Sequence, residues 1–504
     1  MSDPAALQVP VSQALTSDML LGLKPSAPKS RSYRISIAPT NKSVFLPGDQ
    51  IVWELPTSRR GTWLDQSQSY LKFSVQFAST AAAPSGGINL DNSAYSFFQR
   101  LDIFHSSNLI ESQNEYGQLA NFLIDTSLTQ SDKAGISSLI GTNPNNSSYG
   151  YFVSPAAAIT VSTAYPGTIF TNTLQTPGDR SGLTVASKTI AAGVGTAIPY
   201  TFSLPLLSGV IGVNASKMLP VGKLASPIRC EMYLSNNDDA IYYGTPGAGA
   251  IWQITNVEFC ACYVEIQDDN LDMAMGQGEQ QYISTTTYRH SPTTIPAATS
   301  GEFTTMLPFR CASLNAIYAR FRNYASAVQG ANATAAYRKG SSISPNLSSY
   351  YYRIGSSVYP NKPVYLLNGS LVGTGGEAMA ELLKSFHALS SATGNSSLNH
   401  TTYNVAATAQ QGFSLPFYPG DKTTSLDTCN NAFAIGLELQ SFSNRSDTIL
   451  SGVSTLNSQV YFTGIIQSGL TAGGAAKNFD YIMDSFAQLD MILVIQDGIM
   501  SAKY

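Results

Sequence analysis

Apolar and polar residues alternate with a period of two along several short stretches of the chain. Every second residue is apolar in 71–77 (LKFSVQF), and the same pattern recurs in 228–234 (IRCEMYL) and in 317–321. Such alternation places one face of a β-strand in a core and the other face outside it. Residues 489–495 (LDMILVI) carry apolar residues on both faces, which predicts a strand in a sandwich interior or in a subunit contact.

A hairpin that leads into a helix is predicted twice, at 100–125 and again at 363–389. In the first copy an apolar run reaches a turn at 106–108 (SSN) and resumes. In the second copy the run reaches 368–369 (NG), a residue pair that tolerates positive φ in a tight turn. The shared unit is therefore strand, turn, strand and helix.

Both predicted helices have the same start signal. Ser112 precedes Glu115 by three residues and Thr374 precedes Glu377 by three, so each pair predicts a capping box. Apolar residues then follow at helical spacing: Tyr116, Leu119, Ala120 and Leu123 in the first copy, and Met379, Leu382, Leu383 and Phe386 in the second.

Two further echoes follow in the same order along the chain. Residues 202–205 (FSLP) recur at 413–416, and 264–268 (VEIQD) recur loosely at 493–497 (LVIQD). The spacing between copies differs from echo to echo, which indicates two similar domains with loops of different length rather than a regular array.

These observations predict an all-β chain of two tandem jelly-roll β-sandwiches, each with a short helix after a hairpin. The length of 504 residues also exceeds what one hydrophobic core usually covers. The expected division is an N-terminal arm at 1–32, a first jelly roll at 33–267, a linker at 268–281 and a second jelly roll at 282–504. The arm is either disordered or held by a neighbouring subunit.

Charge is sparse and nearly balanced. Charged residues make up 12% of the chain, against roughly 25% in an average soluble protein. A surface built from Ser, Thr, Asn, Gln and Gly suits large areas buried against other polypeptides. The net charge of −4 gives no electrostatic reason to expect nucleic acid as the main partner.

We expect neither a membrane span nor a secretory signal. No apolar run approaches the roughly 18 residues of a transmembrane helix, and the first residues lack a charged start followed by an apolar region. The cysteines are odd in number and show no C-x-x-C pair: Cys230, Cys260, Cys262, Cys311 and Cys429. They are expected to be small buried apolar residues of a chain folded in a reducing compartment.

The histidines do not predict a metal or catalytic site. The chain has four, His105, His290, His387 and His400, and none stands in metal-ligand spacing. His105 ends a predicted hairpin strand and His387 sits in the second predicted helix, where a packed or surface imidazole is expected.

Paired carboxylates are the remaining candidates for catalysis. Asp268, Asp269 and Asp272 lie in the predicted linker, and Asp484 and Asp490 lie in or near the last apolar strand. A glycosidase needs two such groups across one cleft, which spacing along the sequence cannot show. Asp268 and Asp497 follow β runs and are expected to accept hydrogen bonds in turns.

Basic residues gather in two places. Lys24, Lys29, Arg31 and Arg34 lie near the N-terminus, and Arg59-Arg60 precede a glycine. Either group could touch a packaged genome or an acidic partner, but a solvated tail or turn is the simpler interpretation.

The pattern resembles the double jelly-roll major capsid proteins of the adenovirus-hexon lineage, and within it those of virophages and Polinton-like viruses. The resemblance rests on 97–124 (FFQRLDIFHSSNLIESQNEYGQLANFLI), on its echo at 363–389, and on the closing 486–498 (FAQLDMILVIQDG). It spans nearly the whole chain after residue 32.

The resemblance implies a homotrimer that forms a pseudo-hexameric capsomer of an icosahedral, double-stranded DNA virus shell. It places the loops 141–197 and 326–361 outside or between subunits, and the arm on the inner side. Expected partners are further copies of the chain, penton and minor capsid proteins, and at most weak contact of the arm with packaged genome. The implied location is the virion, after assembly in the host cytoplasm or nucleus. Catalytic, cofactor and metal sites are not expected.

Two other functions stay open at the sequence level. A two-domain β-sandwich could bind glycans or cell surfaces, as an adhesin or receptor-binding spike does. An enzyme acting on polysaccharides would rest on the carboxylates alone.

Overall fold

The structure is a computed structural model. It describes residues 29–57, 61–79, 88–90, 92–142, 199–243, 250–267, 280–296, 301–323, 342, 347–366, 375–389, 398, 433–441, 449–466 and 481–504. In this part of the chain strands predominate and helices are short.

The first half of the chain forms a jelly roll from one five-stranded and one four-stranded antiparallel sheet. Its strands are β1 (Ser30–Ile37), β2 (Val44–Phe45), β3 (Gln50–Leu55), β4 (Thr62–Ser79), β5 (Ile88–Leu90), β6 (Phe98–His105), β7 (Asn108–Asn114), β8 (Tyr200–Leu204), β9 (Ile228–Leu234), β10 (Ile241–Tyr243) and β11 (Ala250–Ile266). One sheet has the order β1-β11-β4-β8, with β2 also paired to β11, and the other has the order β3-β9-β6-β7. A separate pair joins β10 to β5.

The second half repeats this topology. Its strands are β12 (Gln281–Ile295), β13 (Gly301–Leu307), β14 (Leu314–Asn323), β15 (Leu347–Ile354), β16 (Ser357–Tyr365), β17 (Ala434–Glu438), β18 (Val460–Ile466), β19 (Tyr481–Gln496) and β20 (Ile499–Lys503). The sheet orders are β12-β19-β14-β17, with β20 added to β19, and β13-β18-β15-β16. Each position in the first pair of sheets has a counterpart in the second, which confirms two tandem jelly rolls.

One helix follows a hairpin in each half, as the sequence predicts. The helices are α1 (Tyr116–Ser127), α2 (Gln130–Gly135), α3 (Ser137–Ile140), α4 (Asn237–Ala240) and α5 (Gly376–Ser385). In the first half α1 follows the β6–β7 hairpin, and in the second half α5 follows the β15–β16 hairpin. The chain enters both helices through a left-handed residue, Glu115 before α1 and Gly375 before α5.

Alternating side chains fill the interior of each sandwich. In β9, Ile228, Cys230, Met232 and Leu234 are buried and the residues between them are not, as the sequence predicts. Aromatic pairs join the two sheets of each jelly roll: Trp53 of β3 stacks on Phe259 of β11, and Phe321 of β14 lies 6.4 Å from Phe462 of β18 between ring centres. Burial of these large side chains stabilises each sandwich by about 1.5–3 kcal/mol per side chain.

The second hairpin lies one strand earlier than predicted. Residues 363–365 belong to β16, which pairs with β15 around a two-residue turn at Gly355 and Ser356. The expected turn at 368–369 lies outside the described residues. The prediction of a loop at 326–361 is therefore wrong for residues 347–354 and 357–361, which are in strands.

The first predicted capping box is wrong, and the second lies partly outside the described residues. Ser112 faces Asp102 across the hairpin and donates a 2.7 Å hydrogen bond to its carboxylate, so it is a strand residue rather than a helix cap. Glu377 accepts a 3.0 Å hydrogen bond from the backbone N–H of Tyr365. Thr374 lies outside the described residues.

The other sequence echoes have a mixed outcome. Residues 264–266 and 493–495 occupy corresponding strands, β11 and β19. Residues 413–416 lie outside the described residues, and β17 takes the place in the second half that β8 takes in the first. Of the cysteines described, Cys230, Cys260 and Cys311 are buried, but Cys262 is half-buried, so its predicted burial is wrong.

The described residues include the C-terminal end of the predicted arm and the C-terminal end of the predicted linker. Residues 30–32, assigned to the arm from the sequence, are paired in β1. Gln281, assigned to the linker, is the first residue of β12. The remaining positions of both segments fall outside the described residues, apart from Lys29 and Gln280.

A glycine sets the distance between α5 and the sheet beneath it. A Cβ atom at Gly436 of β17 would lie 2.6 Å from the Ser385 hydroxyl and 3.0 Å from the Leu382 Cα atom. We expect Gly436→Ala to push α5 outward and to cost about 1–3 kcal/mol of unfolding free energy, measured by urea denaturation. Gly135→Ala is the control, since a Cβ there meets nothing within 4 Å. Equal stability of the two variants would contradict this packing.

Candidate functional site: the junction between the jelly rolls

The histidines that the structure describes lie in three separate environments. His105 is buried, and its Nδ1 accepts a 3.1 Å hydrogen bond from the backbone N–H of Met500. The Nε2 atom of His290 lies 2.9 Å from the Asp484 carboxylate, and His387 lies 3.5 Å from that of Glu438. His400 lies outside the described residues. The histidines are thus not brought together into one site.

The described candidate carboxylates are also apart. Asp484 and Asp490 lie six residues apart on β19, which separates them by roughly 20 Å at the rise of a strand. A glycosidase pair requires about 5–10 Å. Asp490 instead accepts 2.6 Å hydrogen bonds from the Ser313 hydroxyl and the Asn315 amide, which fixes the start of β14.

The remaining aspartates give no cleft either. Asp497 lies in the two-residue turn between β19 and β20, with φ of 51°. Asp268, Asp269 and Asp272 lie outside the described residues, as do Arg59 and Arg60. Within the described residues, no group of three or more His, Cys, Asp or Glu side chains is arranged to hold a metal ion.

Asp484 is the centre of a buried charged cluster. Its carboxylate is bound by Arg322 Nε at 2.5 Å, by Arg322 Nη2 at 3.3 Å and by His290. Burial alone would raise the pKa of Asp484, but the charge of Arg322 and the hydrogen bond from His290 outweigh burial and hold the pKa well below its usual range. The cluster therefore binds β12, β14 and β19 to one another.

The carboxylate of Glu111 is buried in the contact between the two jelly rolls. Its side chain on β7 is fully buried, and it accepts hydrogen bonds from the Ser208 hydroxyl, from the Gly209 N–H at 3.1 Å and from the Thr287 hydroxyl at 2.6 Å. Gln113 adds a fourth donor. Since Thr287 belongs to β12, this network joins the edge strand of a first-half sheet to the edge strand of a second-half sheet.

The C-terminal strand strengthens the same contact. Besides the hydrogen bond from Met500 to His105, the Tyr504 hydroxyl donates to the backbone carbonyl of Ile110. Apolar side chains of the second half, Met491, Leu493 and Met500 among them, are buried in the core of the first half. Gly209 approaches so closely that a Cβ atom there would lie 2.8 Å from the Thr286 carbonyl oxygen.

Helix α1 makes the reciprocal contact. Phe122 of α1 packs edge-on against Tyr318 of β14 and against Phe386, with ring centres 5.6 Å and 5.7 Å away. Tyr318 and Phe386 are themselves stacked at 4.5 Å. Arg320 lies over the Phe122 ring and donates to the Gln118 carbonyl. The junction thus combines an apolar interior with buried hydrogen bonds from Glu111 and Arg320.

A half-buried carboxylate near this aromatic cluster gives a pH-dependent contribution. Burial raises the pKa of Glu438 to about 7 from the usual 4.5. The native state then holds a proton that the unfolded state releases, so stability is lost as pH rises from about 4.5 to 7. Because Gln does not titrate, we expect the unfolding free energy of Glu438→Gln to fall by about 1–2 kcal/mol less than that of wild type over this pH range, with solvent screening taken into account.

The measurement for Glu438 is the melting temperature at pH 5 and at pH 8. The wild-type value should fall more between the two than that of Glu438→Gln, and Glu302→Gln, which removes an exposed carboxylate of the same half, should behave as wild type. Parallel pH profiles for all three proteins would show that Glu438 does not titrate in this window.

Sequence reasoning missed Glu111, which lies inside the quoted hairpin. The only signal in the sequence was an acidic residue next to the apolar Ile110 in a predicted strand, and the capping pattern pointed to Glu115 instead.

No helix in the described part of the chain is long and apolar enough to cross a membrane.

No family model and no curated protein matches the sequence. Solved structures do match. VP54 of PBCV-1, fitted into a reconstruction of the virophage Sputnik, has a TM-score of 0.55 at 11% identity, over 96% of this chain and 99% of that chain. The Faustovirus major capsid protein has a TM-score of 0.55 at 9% identity, over 98% of this chain and 95% of that chain.

The mavirus major capsid protein is also similar, with a TM-score of 0.51 at 12% identity over 100% of this chain and 96% of that chain. Each match spans both jelly rolls rather than a single one. The resemblance inferred from the sequence is confirmed at the level of the fold. The chain has the double jelly-roll fold of viral major capsid proteins.

Proposed function

We propose that this chain is a structural major capsid protein, and that its homotrimers form pseudo-hexameric capsomers of an icosahedral virus shell. The observation that carries the proposal is the junction, which fixes two topologically equivalent jelly rolls into one unit through Glu111, Phe122 and the C-terminal strand. A trimer of such units presents six similar sandwiches around a threefold axis. That arrangement tiles a hexagonal lattice, because neighbours meet nearly equivalent sides.

The sparse surface charge supports this role. With 12% charged residues, the chain is suited to burial against further copies of itself and against penton and minor capsid proteins. We propose that residues 1–29, which precede β1, are an arm on the inner side of the shell and that 268–280, which precede β12, link the two jelly rolls. The chain acts in the virion after assembly in the host cytoplasm or nucleus, and it does not act as an enzyme.

Electron microscopy of the purified protein tests the proposal. We expect particles with a hexagonal outline and, at high concentration, hexagonal arrays or closed shells. A matched incubation with a glycan array addresses the binding-module alternative. Uniform small monomers that bind a glycan would replace the capsid proposal with that alternative.

A further inference from the structure

The two jelly rolls use different edges where they meet. Edge strand β7 of the first half meets edge strand β12 of the second, joined by the Glu111–Thr287 hydrogen bond. In the repeated topology, β16 of the second half corresponds to β7, and β1 of the first half corresponds to β12. Within the described residues, no further strand pairs with the outer side of β16 or of β1. Within one chain β7 therefore meets β12, whereas the equivalent strands β16 and β1 can meet only between two copies.

We propose that the β1–β2 edge of one copy, Ser30–Ile37 with 44–46, is the docking surface for the β16 edge, Ser357–Tyr365, of a second copy. This inference rests on the proposed homotrimer. The contact is heterologous, since one copy offers β1 and the other offers β16, and such contacts close into a ring when the rotation allows it.

Exposed apolar side chains mark both edges. On the β1–β2 edge, Ile35 is 39% exposed, Val44 45% and Leu46 55%. On the β16 edge, Tyr365 is 47% exposed, and Val358 and Tyr359 are half-buried. Uncovered edge strands with apolar side chains are a hazard for a soluble chain, so a specific cover is expected for both.

The charges near the two edges are mixed, since Lys362 is exposed on β16 itself, over the Tyr365 ring, and has the same sign as the arginines of β1. Arg31 and Arg34 are exposed on β1. Beside the β16 edge, the exposed Glu377 is held by the Tyr365 N–H and presents the opposite sign. Charges at the rim of a contact set its orientation and its salt dependence more than its strength. The apolar side chains therefore carry the contact between copies, and the pairing of Glu377 with the arginines of β1 contributes to its orientation.

Two single substitutions test the inference by light scattering. Ile35→Asp and Tyr365→Asp should each raise the concentration at which the oligomer dissociates by tenfold or more, with the melting temperature of the chain little changed. Met306→Asp is the matched control: Met306 is 52% exposed on β13, the opposite edge of the sheet that contains β16. It should leave the oligomer intact.

Cross-linking covers the case in which a variant fails to fold. Val44→Cys and Tyr365→Cys are prepared with different tags, mixed and treated with a short bis-maleimide, and wild type gives the background from the native cysteines. Cross-linked pairs should contain one chain of each tag. If both aspartate variants still form the same oligomer as wild type and no mixed cross-linked pair is found, the inference is wrong but the capsid proposal stands. A wild-type monomer overturns both.

Discussion

Glu111→Ala should lower the free energy of unfolding by about 3–5 kcal/mol. The substitution leaves the Ser208 and Thr287 hydroxyls and the Gly209 N–H buried without their acceptor, and each such group costs about 1–3 kcal/mol. Because these donors come from both jelly rolls, the loss should fall on the junction. Urea denaturation should then show the two halves unfolding in separate steps: tryptophan fluorescence reports only the first half, since Trp53, Trp63 and Trp252 all lie there, and its transition should no longer coincide with that of circular dichroism, which reports both halves.

The matched control is Glu54→Ala on β3. Glu54 is an exposed carboxylate in the same jelly roll, and its removal should change stability by less than about 0.5 kcal/mol. Glu111→Gln should fall between the two, because an amide can accept some of the hydrogen bonds. A Glu111→Ala protein as stable as the Glu54→Ala protein would mean that the junction does not depend on this carboxylate.

The second large effect is expected for Asp484→Ala. Arg322 has a side chain only 11% exposed, and removing Asp484 takes away the carboxylate that compensates its buried positive charge, at a cost of about 3–5 kcal/mol. Glu258→Ala is the comparison: it breaks the Lys72–Glu258 ion pair, whose side chains are 39% and 37% exposed, and exposed pairs contribute about 0–1 kcal/mol.

The same cluster predicts an acid dependence of known sign. The native pKa of Asp484 lies below its usual value of 3.8, so its stabilising contribution is present above that pH and is lost as pH falls through the native pKa. Wild type should therefore lose stability below about pH 4 more steeply than Asp484→Asn. Identical acid unfolding curves for the two proteins would contradict the assignment.

The strand pattern of the sandwiches could be predicted because burial on one face imposes a period of two. The alternation in 228–234 and the apolar run at 489–495 both became strands of the expected kind. The prediction failed at β16 because Pro360 and Pro363 lower the strand signal. The structure accommodates them at an edge strand, where the pairing skips from Tyr359 directly to Val364.

The junction could not be predicted, because its partners are far apart in sequence. Glu111 is 97 residues from Ser208 and 176 from Thr287. The capping box at Ser112 failed for a related reason: Ser112 has a nearer partner, Asp102, across the hairpin than along the helix. Local spacing cannot rank such competing partners. The two-sandwich architecture could be predicted, because the hairpin–helix unit and the later echoes occur twice along the chain.

The central claim is tested most directly by the mass of the purified protein in solution, measured by light scattering across a range of concentrations. Our account predicts a stable species of three times the 53.7 kDa chain mass. Ile35→Asp and Tyr365→Asp should each convert that species into folded single chains, since both introduce a charge into the apolar contact between copies. A monomer at every concentration and salt would contradict the account.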